Sequence, residues 1–123
     1  MRHEGLEAVT VAELVERYAA AGIDEDKAEM EDDLPKRNRL CLQMEAIAKE
    51  LKRRPGDQRR ALLVLYSHPN IEVRLMAAKR TLAIAPIEAR KMIESIAESN
   101  RFPYAGDAGM CLEMLDQGVF VPD

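Results

Sequence analysis

The chain has 123 residues, of which 47% are hydrophobic and 33% charged. This balance predicts a single globular domain over residues 1–123 and excludes a disordered chain. Aromatic residues make up 4% and tryptophan is absent, so the core must be aliphatic, which favours helices over strands. The longest apolar run, 61–66, is too short to span a bilayer. The first residues lack the apolar segment of a secretory signal, and we therefore expect a cytoplasmic protein.

The formal net charge of −4 conceals a strong segregation of charge along the chain. Residues 1–33 carry a net charge of −8, residues 34–80 a net charge of +8, and residues 81–123 a net charge of −4. Two interpretations follow from this pattern. The acidic N-terminal part lies beside the basic middle part, or the basic part is a surface that binds a charged partner.

Helical periodicity and capping signals predict an all-α protein with six or seven helices. Thr10 is the expected N-cap of the first helix, over 10–21, and Gly22 is the residue that should end it. A short second helix should follow from Asp24 and end before Pro35.

A third predicted helix covers 35–53 and carries one apolar stripe. The stripe consists of Leu40, Met44, Ile47 and Leu51. Four further helices are expected, each introduced by a capping residue or a turn. Two of these helices are expected to begin just after Asp57 and Asn70, and the other two at Pro86 and Tyr104. After the last helix, Val119–Val121 is expected to fold back on the core.

Residues 57–82 resemble the second half of a HEAT repeat. The resemblance rests on His68-Pro69-Asn70, Val73-Arg74, Ala77-Ala78 and Leu82. It implies a short HEAT/armadillo-like right-handed α-α superhelix. Independently, Asn70 is suited to cap the helix that follows it, and Arg74 to reach carbonyl groups at the end of the preceding helix.

Nearly the whole chain also resembles a family of uncharacterised bacterial proteins, a domain of unknown function common in alphaproteobacteria. The shared segments are Asn38-Arg39-Leu40, the His68 to Arg74 core, Phe102-Pro103 with the Ala105–Met110 segment, and Gly118 to Pro122. The resemblance implies a HEAT-like helical fold and brings no activity with it.

No motif with a catalytic, cofactor-binding or metal-binding spacing is present in the sequence. Cys41 and Cys111 stand in apolar helical patterns, far from any zinc-ligand spacing. His3 falls in a segment, 1–9, that we expect to be frayed, and His68 falls in a loop. We therefore expect no cofactor and no enzymatic activity.

The segment from Arg101 to Gly109 combines a cation, two aromatic residues and two glycines. In one interpretation it is a tight loop, in which Asp107 caps the last helix and the glycines allow close backbone packing. In the other it is a small binding site that presents Arg101 and Tyr104.

These observations favour a non-catalytic protein-interaction module, either a HEAT-like scaffold or a small regulatory or immunity-type protein. The candidate partner-binding residues are Arg37, Arg39, Arg53, Arg54, Arg59, Arg60, Arg101 and Tyr104. The alternative is nucleic-acid binding through the basic 36–60 segment, against which stand the net negative charge and the few aromatic residues. A homodimer is a further expectation, and an exposed apolar patch on the first or last helix would indicate it.

Overall fold

The computed structural model describes residues 4–123, and these residues contain helices and no strand. The predicted all-α fold class is confirmed. The five α-helices are α1 (Val11–Met30), α2 (Leu34–Arg53), α3 (Ile71–Thr81), α4 (Pro86–Ala97) and α5 (Tyr104–Asp116). Two 3₁₀ helices, Glu4–Ala8 and Gln58–Ser67, complete the described chain. Within this part of the chain, no helix combines the length and apolar content needed to cross a membrane.

The chain divides into two compact units, Met1–Leu62 and Leu63–Asp123. The first contains the N-terminal 3₁₀ helix, α1 and α2, and the second contains α3, α4 and α5. The expectation of one domain and the HEAT-like superhelix stay predictions.

In the first unit, α1 is a single helix of 20 residues, so the prediction that Gly22 ends one helix and Asp24 begins another is wrong. The buried residues Tyr18, Gly22 and Glu25 belong to one stripe that runs the length of α1. Continuous packing of this stripe against α2 outweighs the ~1 kcal/mol by which glycine disfavours a helix interior. Thr10 caps α1 as predicted, since its hydroxyl accepts the Glu13 N–H at 3.1 Å.

The turn between α1 and α2 is fixed by backbone hydrogen bonds and by one aspartate cap. Asp32 has a φ of 56°. The Asp33 N–H reaches back to the Ala28 carbonyl at 2.8 Å, and the Asp32 N–H reaches the Glu29 carbonyl at 3.1 Å, which is a Schellman motif. The Asp33 carboxylate then accepts the Lys36 N–H at 3.2 Å and caps α2. Two helices joined by so short a turn form an αα-hairpin.

The predicted apolar stripe of α2 is buried at Met44, Ile47 and Leu51, and Leu40 is partly buried. The N-terminal segment that was expected to be frayed contains the 3₁₀ helix Glu4–Ala8, which packs on α2. His3 lies outside the described residues.

The predicted fourth helix is present as the 3₁₀ helix Gln58–Ser67. Arg59, Leu62 and Leu65 are buried along it at intervals of three, which is the repeat of a 3₁₀ helix. The α-helical pattern expected at Ala61 and Tyr66 leaves both only partly buried. The segment forms a 3₁₀ helix instead of an α-helix because a repeat of three residues also places Leu62 and Leu65 on one buried face.

The second unit begins α3 as predicted, with the Asn70 side chain accepting the Val73 N–H at 3.1 Å. Arg74 donates to the carbonyls of His68 at 2.7 Å and Pro69 at 3.3 Å. These carbonyls follow directly on the 3₁₀ helix that ends at Ser67, so Arg74 has the role that the sequence predicts. Val73, Ala77, Ala78 and Leu82 are all buried.

The core of the second unit lies between α3, α4 and α5 and is aliphatic, as expected. Its buried residues include Leu75, Ala78, Ile93 and Ala108. A polar pair closes one side, where the Tyr66 hydroxyl lies 2.5 Å from Thr81 Oγ1. Burial raises the pKa of Tyr66, so the phenol stays protonated. The C-terminal segment folds back as predicted, with Phe120 packed against this core.

Candidate binding groove

The N-terminal 3₁₀ helix is held against α2 by one arginine. Arg54 Nη2 donates to the carbonyl oxygens of Leu6 at 2.7 Å and Val9 at 2.6 Å. Arg54 directly follows α2, whereas the two carbonyls belong to the segment before α1. Because the guanidinium is planar and rigid, its donation to two carbonyl oxygens restrains the segment more strongly than a single hydrogen bond does.

Arg54 is itself held by Glu50, whose carboxylate is shared between two arginines. Arg53 donates to it from Nε at 3.1 Å and from Nη2 at 2.6 Å, and Arg54 donates from Nε at 2.8 Å. Glu50 has a relative exposure of only 8%. The hydrogen bonds from Arg53 and then Arg54 hold its pKa below the usual range despite burial. The carboxylate is therefore ionised at neutral pH.

A groove of about 520 Å³ lies between the N-terminal 3₁₀ helix and α2. We call it the α2 groove. Its apolar lining comes from Leu6, Leu42 and Ala46. Leu42 has 64% of its surface exposed, so a large part of this apolar lining is available to a partner.

Charged side chains of both signs surround the apolar lining of the α2 groove. They are Glu7, Glu45, Lys49, Glu50 and Arg53. Lys49 Nζ lies 3.7 Å from a Glu45 carboxylate oxygen, and Arg53 is engaged by Glu50. The lining of the groove thus combines apolar side chains with charged side chains of both signs, a combination typical of protein interfaces.

Most of the predicted basic patch is engaged by carboxylates within the first unit. Arg37 donates to Glu29 at 2.8 Å and lies 3.4 Å from the buried Glu25. The hydrogen bond to Glu29 raises the pKa of Arg37. Since Glu25 and Glu29 belong to acidic α1 and Arg37 to basic α2, the charge segregation supplies internal pairing at this point.

The remaining predicted basic residues differ in exposure. Arg59 is buried and donates to Asp57 at 2.9 and 2.7 Å, which lowers the pKa of Asp57. Arg39 and Arg60 are exposed on the surface. Among the predicted arginines, only Arg53 lines the α2 groove, and Arg54 supports it from behind.

Sequence reasoning missed the apolar part of the α2 groove, although a signal was present. Leu42 lies off the main apolar stripe of α2, and Ala46, Lys49 and Arg53 follow it at helical spacing. This second stripe marks another face of the same helix. The contribution of Leu6 carries no such signal, because its place depends on Arg54, 48 residues further along the chain.

The segment around Arg101 does not form the predicted capping turn. α5 begins at Tyr104, its N-cap is Pro103, and no side chain caps it. Asp107 lies inside the first turn and pairs with Lys79 of α3 at 2.9 Å. Arg101 is exposed, and Tyr104 is half-buried against the core of the second unit.

His68 makes a hydrogen bond within its loop, and the two cysteines are buried or partly buried. His68 Nδ1 accepts the Asn70 N–H at 3.0 Å, which confirms the loop-packing interpretation of this histidine. Cys111 is buried in the core of the second unit, and burial raises the pKa of its thiol. Cys41, on α2, is partly buried.

The described residues form two compact helical units, with an exposed, partly apolar groove on the first. A family model matches residues 12–116, which include almost all of α1 to α5. The chain belongs to this family, described as a domain of unknown function, DUF2019. The predicted membership of an uncharacterised bacterial domain family is thus confirmed.

One solved structure is similar over nearly the whole chain. The chain is similar to the crystal structure of a protein from Rhodopseudomonas palustris, with 50% sequence identity and a TM-score of 0.91. The similarity covers 94% of this chain and 95% of the other. No curated protein matches the sequence.

Proposed function

We propose that this protein is a non-catalytic interaction module that binds a segment of another protein in the α2 groove. The observation that supports the proposal most strongly is Leu42, a large apolar side chain that lines the groove and is 64% exposed. Burial of such a side chain by a partner releases roughly 1.5–3 kcal/mol. Isolated exposed apolar residues are common, but one that lies with Leu6 and Ala46 inside a concave surface is a candidate anchor point.

The charges of the lining favour a protein over a nucleic acid as the occupant. Glu7, Glu45 and Glu50 accompany Lys49 and Arg53, so the charged side chains of the lining have a formal net charge of −1. A surface of this kind gains little from releasing the counterions of a polyanion. The occupant that fits best is an amphipathic protein segment, with apolar side chains toward Leu42 and charges of both signs at its edges.

The ion-pair network provides a rigid wall for such a segment. Glu50 orients Arg53 at the groove, while Arg54 fixes the opposite wall through Leu6 and Val9. A surface that is ordered before binding loses less conformational entropy when the partner arrives. Because the pKa of Glu50 is lowered, this carboxylate is a poor proton acceptor at neutral pH, which favours binding over acid–base catalysis.

The HEAT-like architecture, the scaffold or immunity-type role, the cytoplasmic location and the lack of a cofactor belong to the same proposal. The local support for HEAT-like packing is Arg74 on the His68 and Pro69 carbonyls, with Ala77 and Ala78 buried beside it. A reducing compartment agrees with Cys41 and Cys111 being present as thiols.

Site-specific photo-crosslinking in the host cell tests the proposal. A benzophenone amino acid is placed at Leu42 and, as the matched control, at Val64, which is exposed to a similar extent and lies outside the groove. The proposal predicts discrete protein adducts from position 42 and none from position 64. The yield at position 42 should fall when Arg53→Glu is added. Adducts with nucleic acid, or equal adducts at both positions, would contradict it.

A further inference from the structure

The outward face of α5 is apolar and exposed. Phe102 lies two residues before the first residue of the helix and is 70% exposed, and Met110 on the helix is 62% exposed. Met114 follows one turn later and is also exposed. The opposite face of α5 carries Ala105 and Ala108, which are buried. We call the set formed by Phe102, Gly106, Met110 and Met114 the α5 outer face, and Gly109 lies half-buried at its edge.

Gly106 and Gly109 are not required by the chain's own packing. A Cβ atom added at Gly109 would have no neighbour within 4 Å, and one at Gly106 would meet only the Phe102 ring, at 3.8 Å. Both residues lie inside a helix, where glycine is unfavourable relative to alanine. Small residues on an exposed helix face allow another helix to approach closely.

The charges along the α5 outer face are arranged so that the face complements itself. Arg101 is exposed before the helix and Glu113 is exposed near its end. The neighbouring carboxylates are already engaged within the second unit, Asp107 by Lys79 and Asp116 by Arg90. One end of the face therefore presents a cation and the other an anion.

We propose that two copies of this chain pair through their α5 outer faces as an antiparallel homodimer. A two-fold axis midway between Gly106 and Gly109 sets residue 113 of one helix opposite residue 102 of the other. Glu113 then lies beside Arg101 of the second copy, and the symmetry makes this ion pair twice. Met110 packs over Gly106 of the second copy, next to Phe102, where the missing side chain leaves room.

The size of the surface agrees with a dimer of moderate affinity. Three large apolar side chains that are one-third to two-thirds exposed supply roughly 300–400 Å² per copy. Together with the exposed Arg101 and Glu113 at the two ends of the face, the pair buries on the order of 1,000 Å², the lower limit of a specific interface. We expect dissociation in the micromolar range.

Sedimentation velocity of the full chain over a range of concentrations tests the proposal. The wild type should shift from a monomer to a dimer with rising concentration. Met110→Glu should weaken dimerisation on the order of 100-fold, and Gly109→Leu should abolish it. The matched control is Ile87→Glu, since Ile87 is as exposed as Phe102 but lies on α4; this variant should dimerise like the wild type. Circular dichroism confirms that each variant keeps its helix content.

A charge exchange tests the antiparallel register. Arg101→Glu and Glu113→Arg should each weaken the dimer roughly fivefold, and the double variant should restore it. Rescue by the double variant supports the proposed pairing. A monomer at every concentration, a dimer that survives Met110→Glu, a double variant as weak as the single ones, or capture of this face by a different protein would overturn it.

Discussion

The Arg54 guanidinium donates to the carbonyl of Val9 at 2.6 Å, although the two residues are 45 positions apart in the chain. This contact, with its counterpart at Leu6, places the N-terminal 3₁₀ helix beside α2 and so creates one wall of the α2 groove. The proposed binding surface therefore depends on a single, partly buried polar network.

Replacement of Arg54 by methionine should release the N-terminal 3₁₀ helix from α2. The loss of two carbonyl contacts and of one Glu50 partner should lower the free energy of unfolding by about 1–3 kcal/mol. Hydrogen exchange at the Val9 amide, which donates to Leu6 within this segment, should become faster. Arg53→Met is the matched control, because Arg53 donates to the same Glu50 carboxylate, whereas the carbonyls of Leu6 and Val9 accept from Arg54. Unchanged exchange at Val9 in Arg54→Met would contradict the assigned role.

The Glu50 network should give part of the stability a dependence on pH. The folded pKa of Glu50 lies below its unfolded value, so the unfolded chain binds more protons in the acid range. The stabilisation is complete above the unfolded pKa of about 4.3 and disappears as the pH falls through the folded pKa. Glu50→Gln should therefore lower stability by about 1–3 kcal/mol at pH 7.

Urea denaturation of the wild type and Glu50→Gln between pH 7 and pH 3 measures this effect. The two curves of unfolding free energy against pH should converge at the acid end. Glu45→Gln is the control, since the Glu45 carboxylate is partly exposed and 3.7 Å from Lys49, and it should follow the wild type closely. A constant difference between Glu50→Gln and the wild type down to pH 3 is incompatible with the account.

Adjacent aspartates in the α1–α2 turn should respond to substitution with opposite signs. Asp32 has a left-handed φ of 56°, a conformation that glycine adopts without strain, so Asp32→Gly should raise the free energy of unfolding by up to about 1 kcal/mol. Asp33 caps α2 through the Lys36 N–H, so Asp33→Ala should lower it by about 1 kcal/mol. Thermal and urea unfolding measure both changes, and the same sign for both variants would refute this description of the turn.

Arg74 should stabilise the second unit through the carbonyls of His68 and Pro69. Arg74→Met removes these contacts and should lower the unfolding free energy by about 1 kcal/mol. Arg80→Met removes the same charge from the same helix and should change stability by less than about 0.5 kcal/mol. Equal losses in the two variants would show that charge, and not the carbonyl contacts, accounts for the effect.

Features set by neighbouring residues could be predicted from the sequence. The caps at Thr10 and Asn70 each connect residues three positions apart, so local chemistry determines them. The continuity of α1 could not be predicted, because Gly22 and Glu25 resemble helix-ending and surface residues. Only their burial along one stripe shows that packing overrides the local preference.

The candidate site was predicted only in part. The charge pattern predicts Arg53 and Arg54 as candidate residues. In the structure both arginines donate to Glu50, and Arg54 also donates to the N-terminal segment. Leu6 and Leu42 were missed, since a groove is formed by segments distant in sequence and periodicity describes one helix at a time. One of the two interpretations of the 101–109 segment makes Asp107 a cap, whereas Asp107 pairs with Lys79, 28 residues away.

Affinity capture from host lysate, with nuclease treatment, by the wild type and two matched variants tests whether the α2 groove binds a protein. Leu42→Asp places a charge in the lining of the α2 groove. Ile87→Asp places the same charge at a similarly exposed apolar position outside the groove. We expect capture of a protein partner that survives nuclease treatment and is retained by Ile87→Asp. The amount captured by Leu42→Asp should be at least about tenfold lower. Recovery of nucleic acid in place of a protein, or equal capture by the two variants, would contradict it.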